Sequence, residues 1–396
     1  MVKSRSGLCP RHSRRLLFQH LSDRTGTPVL KILLVAGARP NFPKIAPIAA
    51  ELRRHPDRFE ALVVHTGQHY DYQLSDIFFE ELELGPPDFF LDASRDGINP
   101  QMADIMLKFD TLLGDTQPDL VVVVGDVTST VVCSLAASTR GIAVAHVEAG
   151  LRSGDRRMPE EINRIATDSI SDLLFTYSAD ADENLAAENV PAHCVHRVGN
   201  LMIDTLHCFR EKAQASDALT RNGLSPKQYV LVTMHRRSNL VDDTILAGLV
   251  DALVRIAGQV DVLFPVHPHT RKRLAETGLE TRLEGAARMH LVEPVGYVDM
   301  LRLQQDAQLA LSDSAGVAEE TTVLGIPCLT MRQNTERPVT VSEGTNRLVG
   351  VDADHIVAET QRVLDDGSPA GRIPDLWDGH SAERLVAVLA NGIQLR

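Results

Sequence analysis

A chain of 396 residues exceeds one ordinary domain and suffices for two, and 43% hydrophobic content provides for a real core. The formal net charge of −13 argues against general affinity for nucleic acid or anionic membrane surfaces. An acidic chain that binds an anion must do so in a local basic pocket, so clusters of Arg, Lys and His are the places to look.

Residues 1–28 carry Lys3, Arg5, Arg11, Arg14, Arg15 and Arg24 but lack the apolar segment of a secretory signal, and are expected to form a loose basic tail. The chain then alternates. Val29 to Ala36 predicts a strand, turned at Gly37-Ala38-Arg39-Pro40, with a helix from about Pro43 to Arg54. Leu62 to His65 predicts a second strand, and Leu74 to Leu82 and Met102 to Leu113 have helical spacing. The β-branched run Asp119 to Val124, closed by Gly125, predicts a central strand. Ser129 to Thr139 follows as a helix and Ile142 to Val147 as the next strand. Strands alternating with helices mean a doubly wound α/β domain.

The pattern repeats. Leu173 to Tyr177 and Cys194 to Val198 predict strands, with a crossing point at Val198-Gly199-Asn200. Tyr229 to Thr233, Val262 to Val266, His290 to Val292, Leu309 to Leu311 and Pro327 to Met331 predict the strands of a second half. Helices are expected at Thr244 to Gln259, Met300 to Gln305, Gly316 to Leu324 and, amphipathic, Ser381 to Leu389. The expectation is thus α/β, with two Rossmann-like doubly wound domains facing across a cleft: 29–198, 199–377, and a C-terminal helix within 378–396. Such a cleft is the default place for a ligand. Cys9, Cys133, Cys194, Cys208 and Cys328 are odd in number and their spacing fits neither a zinc site nor a disulfide framework, so a reducing cytoplasm is expected. No apolar run reaches the length of a membrane span.

The stretch Ile142 to Arg164 concentrates ionisable groups. A buried strand ends on Glu148, a Gly- and Arg-rich loop follows, and Pro159 opens a helix with Glu160 and Glu161 in its first turn. Ligands of open α/β sheets bind at such strand mouths. Taken singly, Glu160 or Glu161 reads as ordinary helix-start chemistry, and Glu160 with Arg164 as a surface ion pair one turn apart. Glu148 differs, because an unpaired charge at a buried strand end is costly. Asp126 ends the neighbouring strand in the same way, and two like charges close together are expected to raise at least one pKa.

The second half offers an anion site. Ser314-Ala315-Gly316 leads from a strand into a helix whose exposed N–H groups suit phosphate, although many α/β loops share this composition without binding anything. Glu319 and Glu320 in the same helix suit sugar hydroxyls. His235-Arg236-Arg237 follows a strand directly and is expected at phosphate rather than on an outer face. Arg39 occupies the corresponding place in the first half; Lys44, on a helix, reads more readily as a surface lysine. His267 and His269 have no third metal ligand at useful spacing, and Arg271, Lys272 and Arg273 beside them favour a basic surface.

In order along the chain, GARPNFPKIAP, HTGQHYD, VVGDVTST, HVEAGLRSGDRRMPEEINR, HRRSN, SDSAGVAEETTVLGIPCLTMR and NTERP resemble the non-hydrolysing UDP-N-acetylglucosamine 2-epimerases, over roughly Leu30 to Val351 and again in the final helix. Any one motif is unspecific; the ordered set is not. The resemblance implies a glycosyltransferase-B-like fold, a final helix packed back on the first domain, and a homodimer. Position by position it implies acid/base carboxylates at Asp126, Glu148 and Glu160, a histidine near the diphosphate at His235, first-domain basic residues at Arg39 and Lys44, a phosphate loop at Ser314 and Gly316, a ribose-binding acid at Glu320, and the arginine of the T-E-R-P motif at Arg337. Arg236 is counted with the phosphate contacts. Ala315 stands where the family usually has Gly, Ser238 where many members have Glu, His269 where Arg is common, and Asp71 where some members carry a Gln of a regulatory site, so the resemblance does not extend to activation by substrate.

The chemistry implied needs no cofactor and no metal. A sugar C2–H lacks an adjacent carbonyl, so its removal must be coupled to departure of UDP from C1; UDP then adds back to the glycal with a proton delivered to the opposite face of C2. No G-x-G-x-x-G opens a helix, which argues against oxidation by bound NAD. The expected reaction is conversion of UDP-N-acetylglucosamine to UDP-N-acetylmannosamine. Three alternatives stay open: a 2-epimerase of a modified UDP-amino sugar such as a diacetamido-uronic acid, a hydrolysing relative that releases N-acetylmannosamine, and a glycosyltransferase-like or silent nucleotide-sugar-binding protein.

Overall fold

The computed structural model describes residues 29–68, 79–94 and 96–391. The expected tail, Asp71 and most of the helix expected at Leu74 to Leu82 lie outside these residues.

Two parallel sheets carry the chain. The first has β1 (Leu30–Ala36), β2 (Phe59–His65), β3 (Phe89–Phe90), β4 (Leu120–Val124), β5 (Ala143–Val147), β6 (Leu173–Thr176) and β7 (Val195–Arg197), in the order β3-β2-β1-β4-β5-β6-β7. The second has β8 (Tyr229–Thr233), β9 (Asp261–Pro265), β10 (Met289–Val292), β11 (Leu309–Ser312), β12 (Cys328–Thr330) and β13 (Asn346–Leu348), in the order β10-β9-β8-β11-β12-β13. Both orders start in the middle and grow outward first one way, then the other. The strand order reverses at β1/β4 and at β8/β11, and a doubly wound sheet opens a crevice at the carboxyl ends of such a pair.

The strands read as unbroken apolar runs because both sheet faces are covered. All five residues of β4 and of β5 are buried, and the register sets Val124 against Val147. Asp126 and Glu148 therefore leave the sheet on neighbouring strands at the same level. The helices that position them are α1 (Phe42–Arg53), α2 (Ile98–Thr116), α3 (Thr128–Thr139) and α4 (Pro159–Ile170). In the second sheet the corresponding helices are α6 (Tyr297–Asp306) and α7 (Ala315–Leu324), and α7 ends at Gly325 in the left-handed conformation that a glycine adopts without strain.

Each sheet packs in apolar clusters of its own, and helices join the two halves. Helix α5 (Leu201–Ala215) packs on α1 on one side and on α6 and α7 on the other. Its buried Leu206 and Phe209 join a cluster with Ile45 and Ile48 of α1, Tyr297 and Leu301 of α6, and Trp377 and Leu385. The last helix, α8 (Ser381–Ala390), lies against α1, and Asp204 of α5 accepts from its first backbone amides at Ser381 (3.0 Å) and Ala382 (2.7 Å).

Candidate active site

The site begins where β4 and β5 end. Gly125 has φ +70°, and a Cβ there would lie 3.4 Å from Glu148 Oε2, 3.7 Å from Asn41 Nδ2 and 3.9 Å from Lys44 Nζ. Glycine thus lets the chain turn and leaves room for these groups. Glu148 itself has φ +67°, a left-handed conformation that costs a non-glycine residue about 1–2 kcal/mol. That turn keeps its carboxylate buried at the strand mouth, 5% exposed.

Lys44 neutralises Glu148, with Nζ 2.6 Å from Oε2 and only 7% exposed. The expectation of a surface lysine is corrected here. Position 44 lies on the α1 face turned to the sheet, and helical periodicity alone does not reveal a carboxylate waiting there. Asn41 accepts from the amides of Gly37 (3.0 Å) and Ala38 (2.9 Å) and donates to the Val124 carbonyl (3.1 Å), so the loop bearing Arg39 is tied to the end of β4.

Asp126 is held by α4. Arg164 Nη2 donates to its Oδ2 at 2.5 Å and Asn163 Nδ2 to its carbonyl at 2.9 Å. Burial raises its pKa, but Arg164, Arg337 and Lys44 outweigh burial and leave it lowered. The expected upward push from neighbouring like charge is overturned: the cations win. Arg164 is also not the partner of Glu160 on a surface. It is 1% exposed, and its Nη1 meets Glu161 at 2.7 Å. Glu161 in turn accepts from Ser153 N (2.9 Å), Ser153 Oγ (3.0 Å) and Gly154 N (3.0 Å), so it shapes the loop after β5. Glu160, half-buried in the first turn of α4, has no hydrogen bond or ion pair among the described residues.

Behind this layer sits a pair the sequence reading passed over. His146 Nδ1 lies 2.6 Å from Asp168 Oδ1 and Nε2 lies 2.7 Å from the Gly125 carbonyl, both fully buried. Both ring nitrogens are thus engaged by buried oxygens, which fixes the ring between β4 and α4. Asp168 also meets Arg152 at 2.8 Å and accepts from Gly150 N at 3.1 Å, so one carboxylate fixes the turns after both strands.

The second sheet answers with cations. Asp313, at the end of β11 and fully buried, accepts from His235 N at 3.0 Å, Arg236 N at 2.9 Å and Asn239 Nδ2 at 3.1 Å. It pins the loop after β8 so that His235 and Arg236 project from it. An acid straight after a buried strand is the signal that singled out Glu148, and it would have found Asp313 too. Burial and the charges of Arg236, Arg39 and Arg332 lower the His235 pKa against the pull of Asp313. Arg39, from the first sheet, is thus close enough to act on a histidine of the second.

Glu336 gathers guanidinium groups, with Arg236 at 3.0 Å, Arg332 at 2.8 Å and Arg337 at 2.8 Å. Burial would raise its pKa, yet those three charges hold it well below the ordinary range. Arg337 also pairs with Glu319 of α7 and reaches across to Glu148 at 3.7 Å. A continuous charged chain therefore runs from Lys44 and Glu148 through Arg337 and Glu336 to Arg236, with Asp126 at one end and His235 at the other.

Ser314 precedes α7, with its amide donating to Ser312 Oγ at 2.9 Å, and Ala315 and Gly316 form the first turn. Glu320 does not point at open space: Tyr297 donates to one oxygen at 2.8 Å and Gln304 to the other at 2.7 Å. Burial first, and Glu319 beside it, raise the Glu320 pKa to about 7 despite these bonds. His267 Nδ1 accepts from His269 N at 3.3 Å, and Arg271 pairs with Glu280 at 3.1 Å. Among the described residues no cluster of His, Cys, Asp or Glu could hold a metal ion, no helix is long and apolar enough to cross a membrane, and Cys133, Cys194, Cys208 and Cys328 form no disulfide.

A family model described as UDP-N-acetylglucosamine 2-epimerase matches residues 50–390, which spans both strand mouths. The chain belongs to that family. A UDP-N-acetylglucosamine 2-epimerase homolog of Methanococcus maripaludis is 38% identical over 91% of this chain and 100% of its own. The UDP-2,3-diacetamido-2,3-dideoxy-D-glucuronate 2-epimerase of Pseudomonas aeruginosa is also 38% identical, over 91% of this chain and 99% of its own. The crystal structure of the Methanocaldococcus jannaschii UDP-GlcNAc 2-epimerase in complex with UDP-GlcNAc and UDP superposes with a TM-score of 0.85 at 35% identity, covering 92% of this chain and 100% of that one. Membership accords with the two facing Rossmann-like sheets and with the motif order along the chain.

Proposed function

We propose that this member of the 2-epimerase family inverts C2 of UDP-N-acetylglucosamine to give UDP-N-acetylmannosamine without releasing the free sugar. The observation that carries the reading is the meeting of Glu148 from the first sheet with Arg337 from the second, 3.7 Å apart and both buried, beside Lys44 and Asp126. A reaction that removes a proton while a diphosphate departs needs carboxylates and guanidinium groups in one space.

In the proposed reaction a carboxylate takes the C2 proton. The C2–H electron pair forms the C1=C2 bond of a glycal, and the C1–O bond breaks with its pair leaving on UDP. The diphosphate, now more negative, is met by His235, Arg236 and Arg39 and by the amides at Ser314, Ala315 and Gly316. Re-addition of UDP with proton delivery to the other face of C2 completes the inversion. Asp126, Glu148 and Glu160 are the assigned acid/base groups. The lowered pKa of Asp126 keeps it ionised near neutrality, as a base must be. Lys44 and Arg337 hold Glu148, and Glu320 is assigned to the ribose. We further propose a homodimer.

Incubation with UDP-N-acetylglucosamine in deuterated water, followed by NMR, tests the reading. Deuterium at C2 with both UDP-sugars present supports it; free N-acetylmannosamine would make the enzyme hydrolysing, and unexchanged substrate under conditions where UDP binds would refute it. The similarity to the Pseudomonas aeruginosa enzyme supports a second reading, a diacetamido-glucuronate substrate, so the same incubation is run with that UDP-sugar. Exchange with the uronate alone would favour the second reading.

A further inference from the structure

Three buried oxygens around Arg337 have no partner among the described residues: Glu148 Oε1, the Tyr177 hydroxyl and Glu319 Oε2. Glu148 follows β5, Tyr177 follows β6, and Glu319 lies on α7, so both sheets contribute. Their residues are 5%, 2% and 0% exposed. Each such atom costs on the order of 1–3 kcal/mol if nothing pairs with it. Three of them gathered around one guanidinium call for a polar partner from outside the chain.

The Tyr177 ring is fixed rather than loosely placed. It stands edge-on to Trp377, with ring centroids 5.6 Å apart at 82°, and Trp377 Nε1 donates to the Tyr177 carbonyl at 3.1 Å. Arg337 is the charge that acts most on its hydroxyl, followed by Glu319 and Glu148. Burial pushes the phenol well above its ordinary pKa, so it keeps its proton and can donate. Asp126 belongs to the same group of charges: Arg337 and Lys44 both act on it, and its side chain remains partly open to solvent.

The donor and acceptor count selects the ligand. Two carboxylate oxygens only accept, so the ligand must donate; the phenol asks for an acceptor oxygen. Hydroxyls and the acetamido group of a neutral hexosamine meet both demands. A carboxylate entering here would face Glu148 and Glu319, with an arginine already engaged by Glu319 and Glu336. We infer that Tyr177 is a substrate-binding residue, donating a hydrogen bond to the sugar of the nucleotide sugar, and that the carboxylates beside it favour a neutral acetamido sugar over a uronate. This rests on the proposal that the cleft takes a UDP-sugar.

Tyr177→Phe removes only the hydroxyl. Calorimetric titration of UDP and of UDP-N-acetylglucosamine into wild type and variant is expected to show unchanged UDP affinity and about tenfold weaker binding of the UDP-sugar, the loss of one buried hydrogen bond. The melting temperature should not fall, since the hydroxyl has no partner among the described residues. Equal UDP-sugar affinity in both proteins overturns the assignment, as does a parallel loss of UDP affinity and melting temperature, which would mark Tyr177 as structural. Wild type should bind UDP-N-acetylglucosaminuronate at least tenfold more weakly than UDP-N-acetylglucosamine; equal or tighter binding overturns the preference for a neutral sugar. Absence of C2 deuterium exchange in the wild type, with the Tyr177→Phe binding difference intact, would sink the epimerase reading alone.

Discussion

In the proposed reaction single residues at the strand mouths carry the chemistry, and they differ in what their loss should do. Asp126→Asn and Glu148→Gln should each abolish C2 deuterium incorporation while leaving UDP affinity within a few-fold; near-normal exchange in either variant removes that residue from the mechanism. Lys44→Met should act through stability as well. It leaves Glu148 buried with only the 3.7 Å contact to Arg337, and stripping one partner from a buried pair costs about 3–5 kcal/mol. Adding Glu148→Gln to Lys44→Met should recover much of that loss, because the stranded charge goes with it. Urea titration of the four proteins gives the coupling, and additive losses would show the pair to be energetically idle. The contrast between Glu148 and Lys44 shows what sequence makes legible. An acid at the end of an apolar strand announces itself, whereas a lysine on a helix looks the same whether it faces water or a carboxylate 104 positions away. Arg164 misled for the same reason: helical spacing offered Glu160 as its partner, but Asp126 and Glu161 hold it.

At the scale of elements, β-branched runs made the central strands plain, and β8 matches the residues expected of it, Tyr229–Thr233. The helix Thr128–Thr139 and the start of α4 at Pro159 were read nearly as well, because a glycine turn or a proline marks where each begins. Of the four edge strands, β7 and β10 match expected strands, whereas β3 and β13 do not appear in the sequence reading. β3 has two residues and β13 three, too short for any periodicity, and both form only because a neighbouring strand offers its edge. Helix α5 escaped because its apolar residues face two partners, α1 and the α6–α7 pair, which blurs the single stripe of a surface helix. The contact between α6 and α7 has a pH signature. Glu320 on α7, bonded to Tyr297 and Gln304 of α6, has its pKa raised from 4.5 to about 7. The folded chain then holds this proton more tightly than the unfolded chain does. Its contribution is fully present below about pH 4.5 and is lost as pH rises toward 7, roughly 3 kcal/mol in all. Glu320→Gln should abolish that slope, because an amide does not titrate, and the variant stays packed because Gln304 Oε1, unpartnered in the wild type, can turn to accept from it. Melting temperatures between pH 5 and 8 check this; parallel curves for wild type and variant would show that Glu320 does not titrate in that window.

At the scale of the whole molecule, the proposed dimer would meet the site through the face of the first sheet that carries α2, α3 and α4. These helices lie side by side, and Leu107 on α2, Leu135 on α3 and Ile162 on α4 are exposed, Leu107 to 69%. Large apolar side chains on adjacent helices suit a two-fold interface, which buries about 800 Å² on each partner when stable. Arg164, which holds Asp126, sits two residues from Ile162 on the opposite side of α4. A second copy pressed on α4 would steady the helix that aims the carboxylate, so assembly and catalysis should fail together. Light scattering should give twice the 43.4 kDa of one chain. Leu135→Glu, on the middle helix of the three, should shift the mass toward one chain and lower kcat more than it weakens UDP binding, since the groups assigned to UDP, Arg39 apart, lie on the other sheet. A monomeric wild type, or a Leu135→Glu dimer of unchanged mass, would place the interface elsewhere. A monomeric variant with full kcat would separate assembly from the positioning of Asp126.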